Sequence, residues 1–484
     1  MRAVSVSAVA VAVLLVLSGC SAPSAAPAAN DDWAYPDDPP TDRLGWEDGV
    51  WYNESIAVNQ SDGLDAAERE AFVARTMARV ERVRGLEFRE TVPVEVISRA
   101  EYRDRAVFGA ERSPEYEAWH EQVWEAALIV GEDRAVADEF DALYGGSVQG
   151  YYTPSGDRIV VVSDAENPTI DRGTLAHELV HALQDQHFGF TGSRTRDGGL
   201  AHNGLTEGDA RYVETLYLER CAAGADPNAT DGPNATADGA DGDDGDDGWD
   251  CVPRPPRSGG TAGAPVNEGL FAYVYQPYAD GPAFVHRLYE RGGWDAVDAA
   301  YDRRPRSTEQ TIHPERYPDE PVESVRVRDR SADDWTRFDL DRPATERLGE
   351  TGLFAMFWYN DYVDGYRSSD LPYSPYNYSA APSDGWAGDR LVPYRSDEGA
   401  DARYGYVWAI EFDDAGEAEE FARSYRGMLR LRVGAETVDP RAAVYRVADG
   451  PFADAFRVER DGRRVTITNA PTVGTLDAVR DPPG

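Results

Sequence analysis

The sequence predicts an α+β chain in which a largely helical middle part is followed by a separate α+β module. Three observations predict this. Apolar residues recur at helical spacing from Leu64 to about Tyr301, with only short strand-like runs among them. From about Glu346 the pattern changes to strands set around a helix. The 484 residues are 41% hydrophobic and include 11 Trp, 15 Phe and 26 Tyr, which is enough to fill packed cores and excludes a wholly disordered chain.

The chain opens with Arg2 and an apolar run from Ala3 to Leu17 that closes on Leu17-Ser18-Gly19-Cys20. That run is shorter than the roughly 20 apolar residues of a membrane-spanning helix, and its layout is that of an export signal. Its last four residues resemble a lipobox, so residues 1–20 are read as a lipoprotein signal. Cys20 is then the lipidated first residue of a mature chain held at the outer face of the cytoplasmic membrane. An ordinary cleaved signal and a buried helix are the alternatives. One acyl chain anchors only marginally, so stable attachment calls for a second chain or another contact. Residues 21–63, rich in Ala, Pro, Asp and Ser, read as a disordered tether.

Each later element has its own local reason. Phe72, Met77, Val80 and Val83 give a helix within Leu64 to Arg84, and Val92 to Ser98 alternates like a strand. Helical patterns follow at Glu115 to Val130 and Ala135 to Tyr144. Val148 to Tyr152 and Arg158 to Ser163 flank the turn-forming set Thr153-Pro154-Ser155-Gly156-Asp157, which predicts a hairpin. Asn167 and Pro168 offer a helix start and Gly189 a stop. Phe271 to Tyr301 reads as helix with a break at Gly292-Gly293, and Pro305 to Pro318 as irregular. The closing module, 336–484, is expected to hold a helix near Glu346 to Asp361 and strands near Asp389 to Tyr394 and Tyr404 to Phe412. A helix from Ala415 to Leu429 and two last strands, near Ala443 to Ala448 and Phe456 to Thr468, complete it.

The charge limits the partners. Forty-eight cations, all of them Arg, stand against 88 acids for a net charge of −40. Such a chain repels nucleic acid. A lysine-free acidic surface suits a halophilic protein, whose self-repulsion concentrated salt screens within a few ångströms; an acidic calcium-binding surface is the alternative. Cys221 and Cys251 form a plausible disulfide in an exported chain. Between them Ala222 to Asp250 is an Asp, Gly, Ala and Asn segment too poor in apolar surface to fold alone, the greater part of an acidic disordered insertion over 222–262. Its repeats at Asp241 to Asp247 are the calcium candidate, though they lack the closing Glu of a helix-loop-helix site. Asn53, Asn59, Asn228, Asn234 and Asn377 head glycosylation acceptor triplets.

The chemistry concentrates at His177-Glu178-Leu179-Val180-His181. With 7 histidines and 88 acids in the chain, chance would supply such an HExxH pattern about 0.02 times. At about 100° per residue from His177, His181 lies near 40°, Asp185 near 80° and Glu178 near 100°, while Leu175, Ala176, Leu179, Ala182 and Leu183 fill the other face. Two imidazoles so placed can reach one Zn²⁺ at about 2.0 to 2.1 Å, and Glu178 can act on a water at that ion. A third ligand is needed. Glu207, in Leu205-Thr206-Glu207-Gly208-Asp209-Ala210, is the first candidate, with His202 and His187 as rivals. Gly208 would then let the Glu207 helix approach the His177 helix. His313 is a candidate oxyanion donor, with Tyr317 or Tyr278 behind it, against a structural role in a turn. His120 and His286 read as packing or surface residues, and Trp386-Ala-Gly-Asp389 as a turn into a strand or a substrate contact.

His177 to His181 with Glu207 resembles the gluzincins, the thermolysin-like zinc metallopeptidases. The stretches Gly150 to Phe188, Ser307 to Tyr317 and Gly385 to Arg390 are similar to a group of haloarchaeal surface proteins and their bacterial relatives. The resemblance implies a zincin-like core, here 64–335, in which the strand at Arg158 to Ser163 flanks the substrate cleft. It implies zinc held by His177, His181 and Glu207, with Glu178 as general base. Four residues after the third ligand, gluzincins often carry an Asp that buttresses a zinc-bound His; here that residue is Arg211, so the role passes to Asp209 or another group, or is unfilled. The expected function is an extracellular, lipid-anchored zinc metallopeptidase acting on protein or peptide substrates. The alternative is a non-catalytic surface lipoprotein that uses the same scaffold for binding or structure.

Overall fold

A computed structural model describes residues 38–39, 41–105, 113–144, 148–165, 167–223, 248–255, 266–332, 334–364, 366, 372–374, 376–397 and 402–481. The signal, Cys20, the tether before residue 38, Asn228, Asn234 and the Asp241 to Asp247 calcium candidate lie outside the described residues. Among the described residues no helix is long and apolar enough to cross a membrane.

In chain order the elements are β1 (Trp46–Glu47), β2 (Val50–Trp51), α1 (Ala66–Arg84), β3 (Val94–Ile97), α2 (Arg99–Arg105), α3 (Pro114–Ala126), α4 (Val136–Tyr144), β4 (Gly150–Thr153), β5 (Arg158–Val162), α5 (Arg172–Phe188) and α6 (Arg196–Ala223). There follow α7 (Glu268–Asp302), α8 (Thr308–Ile312), β6 (Trp335–Arg337), α9 (Gly349–Tyr359), β7 (Trp386–Ser396), β8 (Arg403–Phe412) and α10 (Ala415–Leu431). The chain closes with β9 (Glu436–Asp439), β10 (Val444–Arg446), β11 (Ala455–Asp461), β12 (Arg464–Ala470) and α11 (Leu476–Val479). The architecture is mixed α+β, with a helical middle region and a C-terminal antiparallel sheet of seven strands. Two compact units divide the chain, and the divide falls inside the continuous helix α6, after Gly208.

The first unit takes residues 1–106, 145–190 and 209–261. Its sheet runs β3-β5-β4, with β3 parallel to β5 and β4 antiparallel to it, so β5 is central and β4 an edge. The predicted hairpin is the β4–β5 pair. Helix α1 begins at a reciprocal cap between Asp65 and Glu68 and stops at Gly85, whose φ of 75° a side chain would resist. Its buried Phe72, Met77 and Val80 face the core, and α1 packs on α5. Helix α5 starts four residues later than Asn167 and Pro168 suggested. The Pro168 carbonyl accepts from Leu64, and Ile170 exchanges bonds with the buried Gln60 side chain, so that stretch is held out of the helix. Asp171 caps α5 instead, accepting from Gly173 and Thr174.

Residues 41–63, expected as tether, carry structure. Trp46 pairs with Trp51 across β1–β2, this ladder lies against α1, and the N–H of Gly45 donates to the buried Glu81 at 2.7 Å. Trp46, Trp51 and Tyr52 supply apolar surface that this stretch sets against the rest of the unit. Close to Tyr52 a disulfide joins Cys221 to Cys251, with Arg79 bonded to both the Tyr52 carbonyl and Cys251. Beside it the buried Trp249 meets the rings of Tyr52 and Tyr217 and the guanidinium of Arg79.

The second unit takes residues 107–144, 191–208 and 262–484. Helix α7 leaves helical geometry at Gly292 and Gly293, as the paired glycines predict. The stretch read as irregular contains the short α8. Gly208 serves a different neighbour from the one expected: a Cβ there would lie 2.3 Å from the Gly281 carbonyl oxygen, so α7 is the helix it lets in. The seven-stranded sheet runs β6-β7-β8-β12-β11-β10-β9. Across it Leu391 pairs with Trp408, Trp408 with Ile467 and Ile467 with Val458, a fully buried row. Helix α10 lies against β8, β11 and β12. A second cluster gathers Val392, Tyr394 and Val407 with Leu476 and Val479 of α11. The single strand predicted over Phe456 to Thr468 is a hairpin that turns at Gly462, φ 59°, because the alternation continues on both sides of Asp461-Gly462.

Asp389 ties this module together. Its carboxylate accepts the N–H groups of Leu348 (3.1 Å) and Gly349 (3.0 Å) at the start of α9 and the indole N–H groups of Trp386 (3.1 Å) and Trp408 (2.9 Å). Trp386 to Asp389 is thus strand, and both rings are fully buried. Burial pushes the Asp389 pKa up to about 6 against the pull of these donors. Asp389→Ala leaves four buried donors without their acceptor and is expected to cost on the order of 3 to 5 kcal/mol. Denaturant unfolding of the purified chain checks this, and a loss below about 1 kcal/mol would contradict it.

Candidate metal centre

Helices α5 and α6 bring three of the predicted ligands together. His177 and His181 stand one turn apart on α5, Glu207 stands on α6, and one ligand atom from each lies within 4.8 Å of the others. All three are buried, so this His-His-Glu group could hold a metal ion. The two rings meet edge-on at 84°, with their Nε2 atoms 3.1 Å apart.

Partners on α5 and α6, braced by α1, face the Nδ1 atom of each ring. Arg84 Nε lies 2.9 Å from Asp209 Oδ1, and both side chains are buried. Gln184 Nε2 donates to Asp209 Oδ2 at 3.3 Å. A carboxylate only accepts, so the amide must turn its Oε1 the other way, where His181 Nδ1 lies at 2.9 Å. The His181 proton is therefore on Nδ1 and its lone pair on Nε2. For His177, Glu214 Oε2 lies 3.3 Å from Nδ1, and Arg211 Nη1 donates to Glu214 Oε1 at 2.7 Å. Burial opposes the Glu214 charge, but Arg211 and His177 outweigh it and hold the carboxyl at about 2.

The two Nε2 atoms face each other at 3.1 Å, a separation that suits either a hydrogen bond between the rings or a cation held by both. Nitrogens bound at about 2.05 Å to a tetrahedral ion lie about 3.3 Å apart, close to this spacing. Two imidazoles and a carboxylate, each imidazole backed at Nδ1, suit Zn²⁺ in donor type and support.

Glu178 points its Oε2 at the edge strand, accepting the N–H of Tyr152 at 2.8 Å. The strand bordering α5 is thus β4, whereas β5, which the resemblance placed beside the cleft, is the middle of the sheet. The Tyr152 hydroxyl lies 2.7 Å from Asp157 and 2.9 Å from Asp185, and burial with these two carboxyls pushes the phenol pKa up.

The other candidates have separate settings. His187 Nε2 bonds the Glu87 carbonyl at 2.8 Å on the surface. His202 Nδ1 faces the Thr191 carbonyl at 3.3 Å, and burial lowers its pKa. His313 pairs with the buried Glu350 at 3.0 Å; burial disfavours the charged ring, yet Glu350 outweighs it and raises the pKa to about 9. The Tyr317 hydroxyl donates to the Arg303 carbonyl, and Tyr278 stacks on Tyr275. His120 packs among Tyr116, Trp119 and Phe140 and accepts from Trp124, and His286 lies against Tyr373.

Gln184 and Glu214 are supporting residues that the motif does not contain. Spacing could have found both: Gln184 is three residues after His181, and Glu214 is seven after Glu207, two turns along the same helix face. Together with Asp209 they take up the buttressing left open by Arg211.

A family model described as a domain of unknown function, DUF8575, matches residues 336–480. That match takes in α9 to α11 and none of the His177, His181 and Glu207 group. No curated protein and no solved structure matches the chain.

Gln184→Leu removes the acceptor that holds His181 Nδ1. Zinc affinity, read by competition with a chromogenic chelator, is expected to fall about 10- to 100-fold. Unchanged affinity would show that Gln184 does not orient the ring.

Proposed function

We propose that the chain is an exported, lipid-anchored zinc-dependent peptidase of the gluzincin type, built to work in concentrated salt. The observation that carries this reading is the pair of Nε2 atoms meeting at 3.1 Å beside Glu207, with Glu178 on the same helix. A bound zinc ion would supply a water of pKa near 7 and polarise a peptide carbonyl. His177, His181 and Glu207 would hold the ion, and Gln184 and Glu214 keep the imidazole protons away from it. Glu178, positioned by the Tyr152 N–H, takes the proton of the attacking water and passes it to the leaving amine. The substrate class is protein or peptide, and the export signal with Cys20 puts the reaction outside the cell.

One observation favours a second reading, a scaffold that binds metal without turnover. His177 is 2% exposed and Glu178, His181 and Glu207 are each 1% exposed, so little of the group is open to a substrate.

Glu178→Gln separates the two. In high salt with zinc, the wild type is expected to cleave an unstructured protein substrate. The variant should keep its zinc and lose at least about 100-fold in kcat/KM. Equal cleavage by the variant would remove Glu178 from the chemistry, and stoichiometric zinc with no cleavage by the wild type would establish the scaffold.

A further inference from the structure

A chain with 88 acids against 48 arginines contains a groove in its second unit where the balance is inverted. The groove encloses about 900 Å³, and eight of its fifteen lining residues are arginines against two acids, Glu459 and Asp461. Its floor is the sheet: Arg390 of β7, Ala409 of β8 and Thr466 of β12 lie opposite one another in register, so the small Ala409 and Thr466 form the base beside Arg390.

One wall is the segment Val325 to Arg330, in which Val and Arg alternate as far as Arg328 and Asp329, paired with Arg337, precedes Arg330. Val325 is buried and Val327 packs on the cluster around Trp335 and Val392. In extended chain successive side chains point to opposite sides, so burying Val325 and packing Val327 turns Arg326 and Arg328 to the groove, whose rim Val327 also touches. Four of the eight arginines have carboxylates beside them, as Arg464 has Glu411 and Arg480 has Glu459. Arg326, Arg328, Arg330 and Arg390 have no carboxylate partner among the described residues; Arg390 bonds the Val325 carbonyl and Thr345, and Arg330 the Asp481 carbonyl. In a chain so rich in acids, four guanidinium groups left without carboxylates along one groove call for anions from another source.

Arginines at alternate positions of an extended segment repeat about every 6.6 Å, the spacing at which an extended peptide presents the side chains of one face. A guanidinium fork matches a carboxylate with two parallel hydrogen bonds. We propose that this groove binds an extended acidic peptide segment with Asp or Glu at alternate positions. Nucleic-acid single strands are bound by stacking bases on aromatic rings, and no aromatic residue lines the groove among the described residues. A bilayer surface is flat, whereas these arginines line a recess. The proposal is independent of any metal at His177 and His181.

The test uses the full chain in the salt that keeps it folded. Fluorescence anisotropy follows a labelled decapeptide of alternating Asp and Ala, with the Asn-Ala decapeptide as its neutral counterpart. The wild type is expected to bind the Asp peptide and not the Asn peptide. Affinity should fall at least ten-fold in the double variant Arg326→Gln, Arg328→Gln and hold in Arg430→Gln, a change on α10 outside the groove. Melting temperatures show which variants fold, and Arg390→Gln, on a different element, repeats the test if the double variant does not. No binding by the wild type, equal binding of the Asn peptide, or full affinity in the folded groove variants would overturn the proposal. So would heparin or phosphatidylglycerol vesicles binding more tightly than the peptide through the same arginines, since that would assign the groove to a glycan or a lipid surface.

Discussion

Two imidazoles whose Nε2 atoms face each other at 3.1 Å are the constraint around which the first unit is arranged. Each Nδ1 is faced by an acceptor that is itself fixed. Arg84 of α1 holds Asp209 of α6, Asp209 holds the amide of Gln184, and that amide holds His181. Arg211 holds Glu214, which faces His177. Burying the Arg84–Asp209 pair carries a desolvation cost that apolar residues would avoid. What the pair contributes is orientation, and orientation matters most where lone pairs must converge on one point.

The second unit is organised by a different buried carboxylate. Asp389 joins two strands and the first turn of α9 through four donors, and around it the sheet buries one row of large side chains under α10 and another beside α11. The part of the sheet that bears Arg390 and Thr466 is lined instead by charged and small residues, which is where the arginine groove forms. One module thus carries both a packed core and a cationic surface on a strongly acidic chain.

The signals legible in the sequence were those that repeat at fixed spacing or mark a boundary. The i, i+4 histidines, Glu207, the hairpin about Gly156, the Gly292-Gly293 break and most helices of the closing module lie close to where local pattern puts them. What local pattern missed was decided by long-range bonds. The start of α5 moved because Gln60 and Leu64 claim the backbone of Pro168 and Ile170. Gly208 answers Gly281, some seventy residues on, and not the histidine helix. Gln184 and Glu214 carry no motif of their own, since their role exists only once two helices are side by side. The alternation Val325-Arg326-Val327-Arg328 was present as text, but it gains meaning only when the valines are seen to be anchored.

The most direct test of this account is the zinc content of the purified soluble chain from Asp31 onward, prepared in high salt without chelators and compared with Glu207→Ala. The account predicts one zinc per chain in the wild type and a large loss in the variant, with both proteins folded. Wild-type protein that stays free of zinc after equilibration with the metal, or a variant that keeps it fully, would contradict a site built from His177, His181 and Glu207.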